Sequence, residues 1–300
     1  MAIPASQCDT WRNQGATVTA KATHEAVRNA LSAPNSPVRG KDYEIYLQGS
    51  YKNDTNIRGD SDVDIVVQLN ETMWKDTSAL NAQEQTACEQ AFSPATYSLD
   101  AFDADVQKAL RAYFGASSVT PKNKCITVVG GSSRLDADVV VAGQYRRYTS
   151  FRSTSDQQYA EGITFWGRND SLQVINYPKL HYDNGVTKNA ATNGNFKRSV
   201  RMIKNARTYL AQRGTIDAVL APSYFVEGWL FNVPDDQYVN ESDDTFYNVL
   251  NWLSQHSDGK DFVCQNWQYY LFGPLRVQWS VANAKQLHGA LVTLWNDWGR

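Results

Sequence analysis

The stretch GSYKNDTNIRGDSDVDIVV, from Gly49 to Val67, decides how this chain is read. Its second half sets Asp62 and Asp64 inside a run of β-branched residues. In a strand, residues i and i+2 share a face, so the two aspartates point one way while Val63, Ile65 and Val67 point into a core. Two carboxylates a few ångströms apart raise each other's pKa unless a cation joins them. Mg²⁺ is such a cation: it takes one or two carboxylates, keeps waters and completes its shell with substrate phosphate oxygens. A solvated edge strand whose acids merely discourage aggregation gives the same short pattern, so the flanking sequence has to decide.

Upstream, YEIYLQGS reads as an alternating strand that runs into Gly49 and Ser50. A glycine there lets backbone N–H groups approach a phosphate, and the serine hydroxyl adds a donor. Downstream, SRLDADVVVA puts Asp136 and Asp138 on one strand face, opposite Leu135, Ala137 and Val139. Asp138 is the better third ligand, because the apolar run Val139 to Ala142 follows it as a similar run follows Asp64; Asp136 then plays a supporting or solvent-facing part. Three carboxylates on adjacent strands can hold two Mg²⁺ ions about 3.5 to 4 Å apart, one lowering the pKa of an attacking hydroxyl and one supporting a leaving pyrophosphate. That is nucleotidyl transfer, which needs positioning and charge neutralisation more than covalent chemistry.

The remaining composition is compatible with an ordinary globular enzyme. At 300 residues and 42% apolar content, the chain can bury one large or two ordinary cores. Cys8, Cys88, Cys125 and Cys264 are widely spaced, with no CxxC or Cys/His metal pattern, and the N-terminus lacks an apolar leader; free thiols and a cytoplasmic location are expected. No run approaches the ~18 apolar residues of a membrane span. The formal charge of -2 argues against dedicated binding of long nucleic acid. A local bias remains: Lys179 to Arg213 holds eight Lys or Arg against one acid, Asp183, and is where a polyanion would sit.

Periodicity predicts a helix over Trp11 to Leu31, strands at YEIYLQGS and Val63 to Leu69, helices over Thr77 to Ala91 and Ala101 to Phe114, and the strands CITVVG and SRLDADVVVA joined by Gly130 to Ser133. The segment ITFWGRNDSLQVINYPKLHYDNG reads as turns around short strands, with a boundary near Asp183 to Thr192. Helices are then expected at Asn195 to Arg213, Ser223 to Asn232, Asp243 to Ser257 and Val281 to Trp298. On the first of these, Phe196, Val200, Ile203, Ala206 and Leu210 form an apolar face, and Lys197, Arg201 and Lys204 a neighbouring basic stripe. Such a stripe reads equally as a solvated face.

The pattern GS, spacer, SDVDIVV and a later lone strand Asp resembles the DNA polymerase β-like nucleotidyltransferase superfamily. More narrowly it is similar to the bacterial cGAS/DncV-like nucleotidyltransferases (CD-NTases), with clade E the preferred branch. HYDNGVTKNAATNGNFKRSVRMIKNAR and APSYFVEGWLF are similar to that family's post-catalytic and "SY" helices. The resemblance implies an α+β fold: a polymerase β-like core, residues 1–185, with a mixed sheet and flanking helices, and a helical domain of the oligoadenylate synthetase type, residues 186–300, completing the nucleotide cleft. It implies that Gly49 and Ser50 bind the donor triphosphate and that Asp62, Asp64 and Asp138 ligate two Mg²⁺ ions, with Mn²⁺ able to substitute. Lys204 matches the helix lysine that touches the triphosphate, Ser223 the serine doing the same, and Tyr224 the aromatic that stacks on a nucleobase. The bland alternatives are a helix cap for Ser223 and core packing for Tyr224.

Members of the pyrimidine-using branch are expected to place an Asn against a base. Asn176, in VINYPK, is the candidate, with Asn184 and Asn189 competing. The implied activity is a bacterial cyclic dinucleotide synthase, using NTPs such as ATP and UTP and releasing pyrophosphate, in anti-phage (CBASS) signalling through a downstream effector. The alternatives are nucleotidyl transfer to RNA, protein or a small molecule, and a non-catalytic nucleotide-binding protein, which would require missing metal ligands. His24, His181, His256 and His288 show no ligand spacing, and no GxSxG, P-loop or zinc signature is present.

Overall fold

A computed structural model of the chain describes residues 2–15, 17–58, 62–275 and 277–299. The chain divides into two compact units. A sheet unit comprises Thr17–Tyr51 and Ser61–Leu180; a helical unit comprises Met1–Ala16, Lys52–Asp60 and His181–Arg300.

The sheet unit is built on a seven-stranded mixed sheet. Its strands are β1 (Tyr43–Leu47), β2 (Asp62–Asp76), β3 (Val119–Pro121), β4 (Ile126–Val128), β5 (Asp136–Ser153), β6 (Asp156–Trp166) and β7 (Gln173–Asn176). The order is β1-β2-β5-β4-β3, with β6 on β5 and β7 on β6. β2 and β5 are parallel although 59 residues of chain lie between them (residues 77–135), and β1 and β4 flank them antiparallel. Alternation gives each central strand two apolar faces. Val63, Ile65, Val67, Val139 and Val141 pack with Val27 and Leu31 of helix α2 (Val18–Ser32) and with Phe102, Val106 and Leu110 of α5 (Leu99–Phe114). Each such side chain, fully buried, contributes about 1.5–3 kcal/mol. Val66, Val140, Ala142, Ile163 and Phe165 cover the opposite face. It is on this second face, by parity, that Asp62, Asp64 and Asp138 lie.

The flanking helices carry their own start signals. Ser98 caps α5 by accepting from the Ala101 N–H, and Asn81 with Glu84 forms a reciprocal capping box on α4 (Ala82–Gln90). Thr77 to Asn81, expected to be helical, is the turn leading into that cap.

The helical unit holds α1 (Ala5–Arg12) and α6 (Pro178–Ala191, beginning at the unit border), α7 (Asn195–Gln212), α8 (Ser223–Phe231), α9 (Ser242–Gln255) and α10 (Val281–Asn296). Phe196, Val200, Ile203, Trp229, Leu230, Phe246, Leu250, Leu287 and Leu291 form its core, and Cys8 and Trp11 of α1 pack into it.

Two further expectations need correction. The single helix over Trp11 to Leu31 is two helices, α1 and α2, broken after Arg12. The break is held by the Gly15 N–H donating to the Asn56 carbonyl, and a Cβ on Gly15 would press on the Ile57 carbonyl at 2.7 Å; Ala16 lies outside the described residues. Residues 178–191, whose local pattern reads as turns and a boundary although the resemblance implies a helix from His181, form α6. Pro178 suits a first helical turn, and buried Gly185 is needed because a Cβ there would collide with the Gln265 amide. Tertiary packing overrides the weak local propensity. No helix among the described residues is long and apolar enough to cross a membrane.

Candidate active site

Within the sheet unit, β2 and β5 pair in the register Asp62↔Asp136 and Asp64↔Asp138. Like charges directly opposite each other on neighbouring strands are destabilising, and four of them stand at one end of this pair. The chain places Asp64 and Asp138 side by side, both half-buried, with Asp62 exposed at the strand start.

The four carboxylates are held differently. Thr127 of β4, the register partner of Asp138, donates its hydroxyl to Asp138 Oδ1 at 2.8 Å. The Cys125 thiol also lies against Asp138; burial first, then the neighbouring carboxylate, push it up to about 11. Asp136 turns away: its Oδ1 accepts from the Gly130 N–H at 2.6 Å, closing the β4–β5 turn. Thr127 was not singled out from sequence, although it is the polar residue between Ile126 and Val128 in an otherwise buried strand.

Gly49 adopts φ +66°, a region that favours glycine. A Cβ there would fall on Asp64 Oδ2, with Asp64 Cγ only 3.0 Å away. The Asp64 carboxylate therefore lies directly against the Gly49 backbone, and the Gln48 N–H donates to the Asp64 carbonyl at 2.9 Å. Gly49 and Ser50 begin the short helix α3 (Gly49–Asn53), and the Ser50 hydroxyl has no protein partner among the described residues. Gly59, Asp60 and Ser61, in the spacer before Asp62, lie outside the described residues.

The donor set is oxygen-only, which suits Mg²⁺ or Mn²⁺ and not a soft metal. The glycine cradle against Asp64 and the Asp64–Asp138 register fit such an ion. Among the described residues no three acidic, histidine or cysteine side chains are already grouped closely enough to hold a metal ion.

Asn176 ends β7, where its Oδ1 accepts from the Tyr177 N–H at 2.8 Å; its amide nitrogen has no partner among the described residues. The competing asparagines are structural. Asn184 donates to the Gln265 carbonyl at 2.8 Å and Asn189 accepts from the Lys197 N–H at 3.0 Å.

In the helical unit the basic stripe of α7 is buried, not solvated: Lys197 is 8%, Arg201 9% and Lys204 0% exposed. Its cations grip the segment that runs on from α3. Lys197 pairs with Asp54 at 3.1 Å, Arg201 donates to the Asp54 carbonyl at 2.5 Å, and Lys204 Nζ donates to the Thr55 carbonyl at 2.8 Å. Burial, aided by nearby Arg198, brings Arg201 down to about 10. Lys204, matched by resemblance to a triphosphate ligand, is thus wholly enclosed in this conformation and holds a loop.

Sequence reading missed Glu227. It is a lone acid in the apolar helix α8, fully enclosed, accepting from Asn53 at 2.9 Å, Thr55 at 2.6 Å and His181 Nε2 at 2.7 Å. Burial alone would raise its pKa, but these bonds and the Lys204 charge bring it below the usual carboxylate range. His181 Nδ1 is buried without a partner among the described residues.

Ser223 is the first residue of α8 and not its cap; the N-cap is Pro222, and the Ser223 hydroxyl has no partner among the described residues. Tyr224 is stacked on His181 (centroids 5.2 Å apart, planes 24°), and its hydroxyl accepts from Asn266 at 3.1 Å. One ring face is therefore already covered.

Comparison with known proteins gives the family and agrees with the fold. Residues 26–95 match the nucleotidyltransferase domain model, and residues 183–296 match the cGAS/DncV-like nucleotidyltransferase C-terminal helical domain. A cyclic UMP-AMP synthase from Rhodothermus marinus is 46% identical over 300 residues, the full length of both chains. The cyclic nucleotide synthase CdnE01 of Staphylococcus haemolyticus is 39% identical over 302 residues, covering 99% of this chain and 100% of that one. The solved Rhodothermus marinus CdnE c-UMP-AMP synthase with Apcpp and Upnpp superposes with a TM-score of 0.89 at 45% identity, covering 99% and 98% of the two chains. With a nucleotidyltransferase domain, an α+β fold of polymerase β type and full-length identity to cyclic nucleotide synthases, this chain belongs to the cGAS/DncV-like nucleotidyltransferases, in clade E.

Proposed function

We propose that this enzyme joins ATP and UTP into a cyclic dinucleotide, releasing pyrophosphate twice, and that the product is a second messenger read by a downstream effector in bacterial anti-phage defence. The observation that carries the chemistry is the Asp64↔Asp138 register beside the Gly49 backbone. The full-length similarity to a cyclic UMP-AMP synthase supports the choice of bases.

Asp62, Asp64 and Asp138 would hold two Mg²⁺ ions, which when bound lower the pKa of the acceptor hydroxyl and neutralise charge on the leaving pyrophosphate. Gly49 leaves room for the Asp64 carboxylate, and its neighbour Ser50 donates its hydroxyl to a phosphate oxygen. Thr127 fixes Asp138 through Oδ1 and keeps its carboxylate oriented. Each transfer forms one bond from a ribose oxygen to an α-phosphorus and breaks the bond from that phosphorus to the bridging oxygen of pyrophosphate, with loss of the hydroxyl proton; the second transfer closes the ring. The amide of Asn176 offers N–H to a carbonyl of the uracil ring. The resemblance assigns Lys204, Ser223 and Tyr224, all in the helical unit, to nucleotide contacts, with the Ser223 hydroxyl left without a partner among the described residues and Lys204 holding the Thr55 carbonyl. The enzyme works in the cytoplasm.

Purified enzyme with Mg²⁺ and radiolabelled ATP and UTP, without any added acceptor, should convert label into a small phosphatase-resistant product. Label transfer only after RNA or another acceptor is supplied would replace this reading with transfer to that acceptor.

A further inference from the structure

The far halves of β2 and β5 frame a second polar cavity, of about 440 Å³, lined among others by Glu71, Met73, Lys75, Phe92, Gln144 and Arg146. It lies entirely in the sheet unit. A register shift between Leu69 and Met73 of β2 pushes residues 70–72 out of the ladder and opens it. Gln144 is six residues beyond Asp138 along β5, about 20 Å at the rise of a strand, so this cavity is separate from the carboxylates.

Its polar groups are incompletely paired. Arg146 Nε is sealed from solvent with no partner among the described residues. The rest of that guanidinium has a long 3.4 Å contact to the Tyr148 hydroxyl and lies over the Tyr159 ring at 4.5 Å. Lys75 Nζ reaches only the Cys88 carbonyl, at 3.3 Å, and stands 4.9 Å from the Phe92 ring centroid. Neither cation forms an ion pair among the described residues. Glu71, the acid on the rim, has Oε1 engaged by the Asp42 N–H. Gln144 is 9% exposed, and its side-chain amide has no partner among the described residues. Buried polar groups are normally satisfied, and two neighbouring cations repel unless an anion joins them. By contrast, the larger cavity beside Trp74 and Trp166 has its Arg168 already paired with Asp103 and bonded to the Lys122 and Cys125 carbonyls.

We propose that the Arg146–Lys75 cavity is a binding site for a small phosphate-bearing molecule with a planar ring, of nucleoside monophosphate size. The phosphate meets Lys75 and the terminal guanidinium nitrogens of Arg146, the ring lies against Phe92 and Met73, and its edge meets the Gln144 amide. Binding needs no divalent ion and no catalytic carboxylate.

The test is calorimetric titration of the full chain, in EDTA, with AMP and with inorganic phosphate. AMP should bind saturably, with phosphate competing. Arg146→Gln or Lys75→Gln should weaken AMP about tenfold, the worth of one charge-assisted hydrogen bond, whereas Ser50→Ala, which removes a phosphate donor of the catalytic site, leaves binding unchanged and so separates the two sites. Gln144→Glu places a carboxylate beside the two cations; it should raise the melting temperature in phosphate-free buffer and abolish the AMP signal, which keeps the test valid if Arg146→Gln folds poorly. Absence of saturable binding by both probes, binding that Ser50→Ala removes and Arg146→Gln spares, or a lower melting temperature for Gln144→Glu overturns the proposal.

Discussion

Gly49→Ala concentrates the account of the carboxylates into one methyl group. At φ +66° an L side chain costs about 1–2 kcal/mol. In addition, the new Cβ would overlap Asp64 Oδ2 and touch Asp64 Cγ at 3.0 Å. To clear the overlap at Oδ2, which lies far inside van der Waals contact, the carboxylate must withdraw by roughly 1 Å. Misplacing a reacting group by about that much costs on the order of 10²-fold in rate, while a stability loss of 1–2 kcal/mol lowers Tm by only a few degrees, at roughly 2–4 °C per kcal/mol in chains of this size. The expected variant is therefore folded, melting a few degrees early, and about a hundredfold slower. Initial rates of pyrophosphate release from ATP and UTP with Mg²⁺, read beside thermal melting, measure both numbers. Wild-type turnover by Gly49→Ala would refute the reasoning, because it would mean that the Asp64 carboxylate can move without consequence.

Thr127→Val keeps shape but removes the hydroxyl bonded to Asp138; we expect a loss of about tenfold in turnover, the worth of one hydrogen bond to a charged group, with melting unchanged, checked by the same rate assay. Glu227→Ala leaves His181, Asn53 and Thr55 without their acceptor and should destabilise by about 3–5 kcal/mol in denaturant melts. Because the folded pKa of Glu227 is depressed, its contribution is present above the unfolded carboxylate range and is lost as pH falls through the folded value. Melting temperatures from pH 7 down to acid should accordingly fall more steeply for the wild type than for Glu227→Gln. All four cysteines are free, three of them buried, and the half-buried Cys125 thiol is pushed up to about 11. Iodoacetamide at neutral pH should modify the native protein slowly and at Cys125 first, as peptide mapping would show; rapid labelling of Cys8, Cys88 or Cys264 would contradict their burial.

The local half of this structure is legible in the sequence. Alternation in DVDIVV and DADVVVA identifies two strands with acids on one face, and the spacing of Phe196, Val200, Ile203 and Leu210 identifies α7. What alternation does not encode is pairing between distant segments, and the Asp64↔Asp138 register depends on it. Charge misleads in the same way. Lys197, Arg201 and Lys204 read as a surface stripe or a phosphate grip because lysine and arginine are seldom enclosed, yet they are buried against Asp54 and Thr55. The signal for that arrangement is Glu227, a single carboxylate amid SYFVEGWLF, which burial tolerates only with partners. Local pattern alone missed α6, which the resemblance implied from His181 onward, because Gly185 and Asn184 read as loop residues, while their reason for being there is the close approach of Gln265.

The most direct test of the central claim compares Asp138→Asn with Asp136→Asn, two substitutions on one strand face two residues apart. Each purified variant and the wild type are incubated with all four NTPs and Mg²⁺, and the products are identified by mass spectrometry. The account predicts a cyclic dinucleotide containing uracil from the wild type, the same product from Asp136→Asn, whose carboxylate only closes a turn, and none from a fully folded Asp138→Asn. Product from Asp138→Asn at the wild-type level would contradict it.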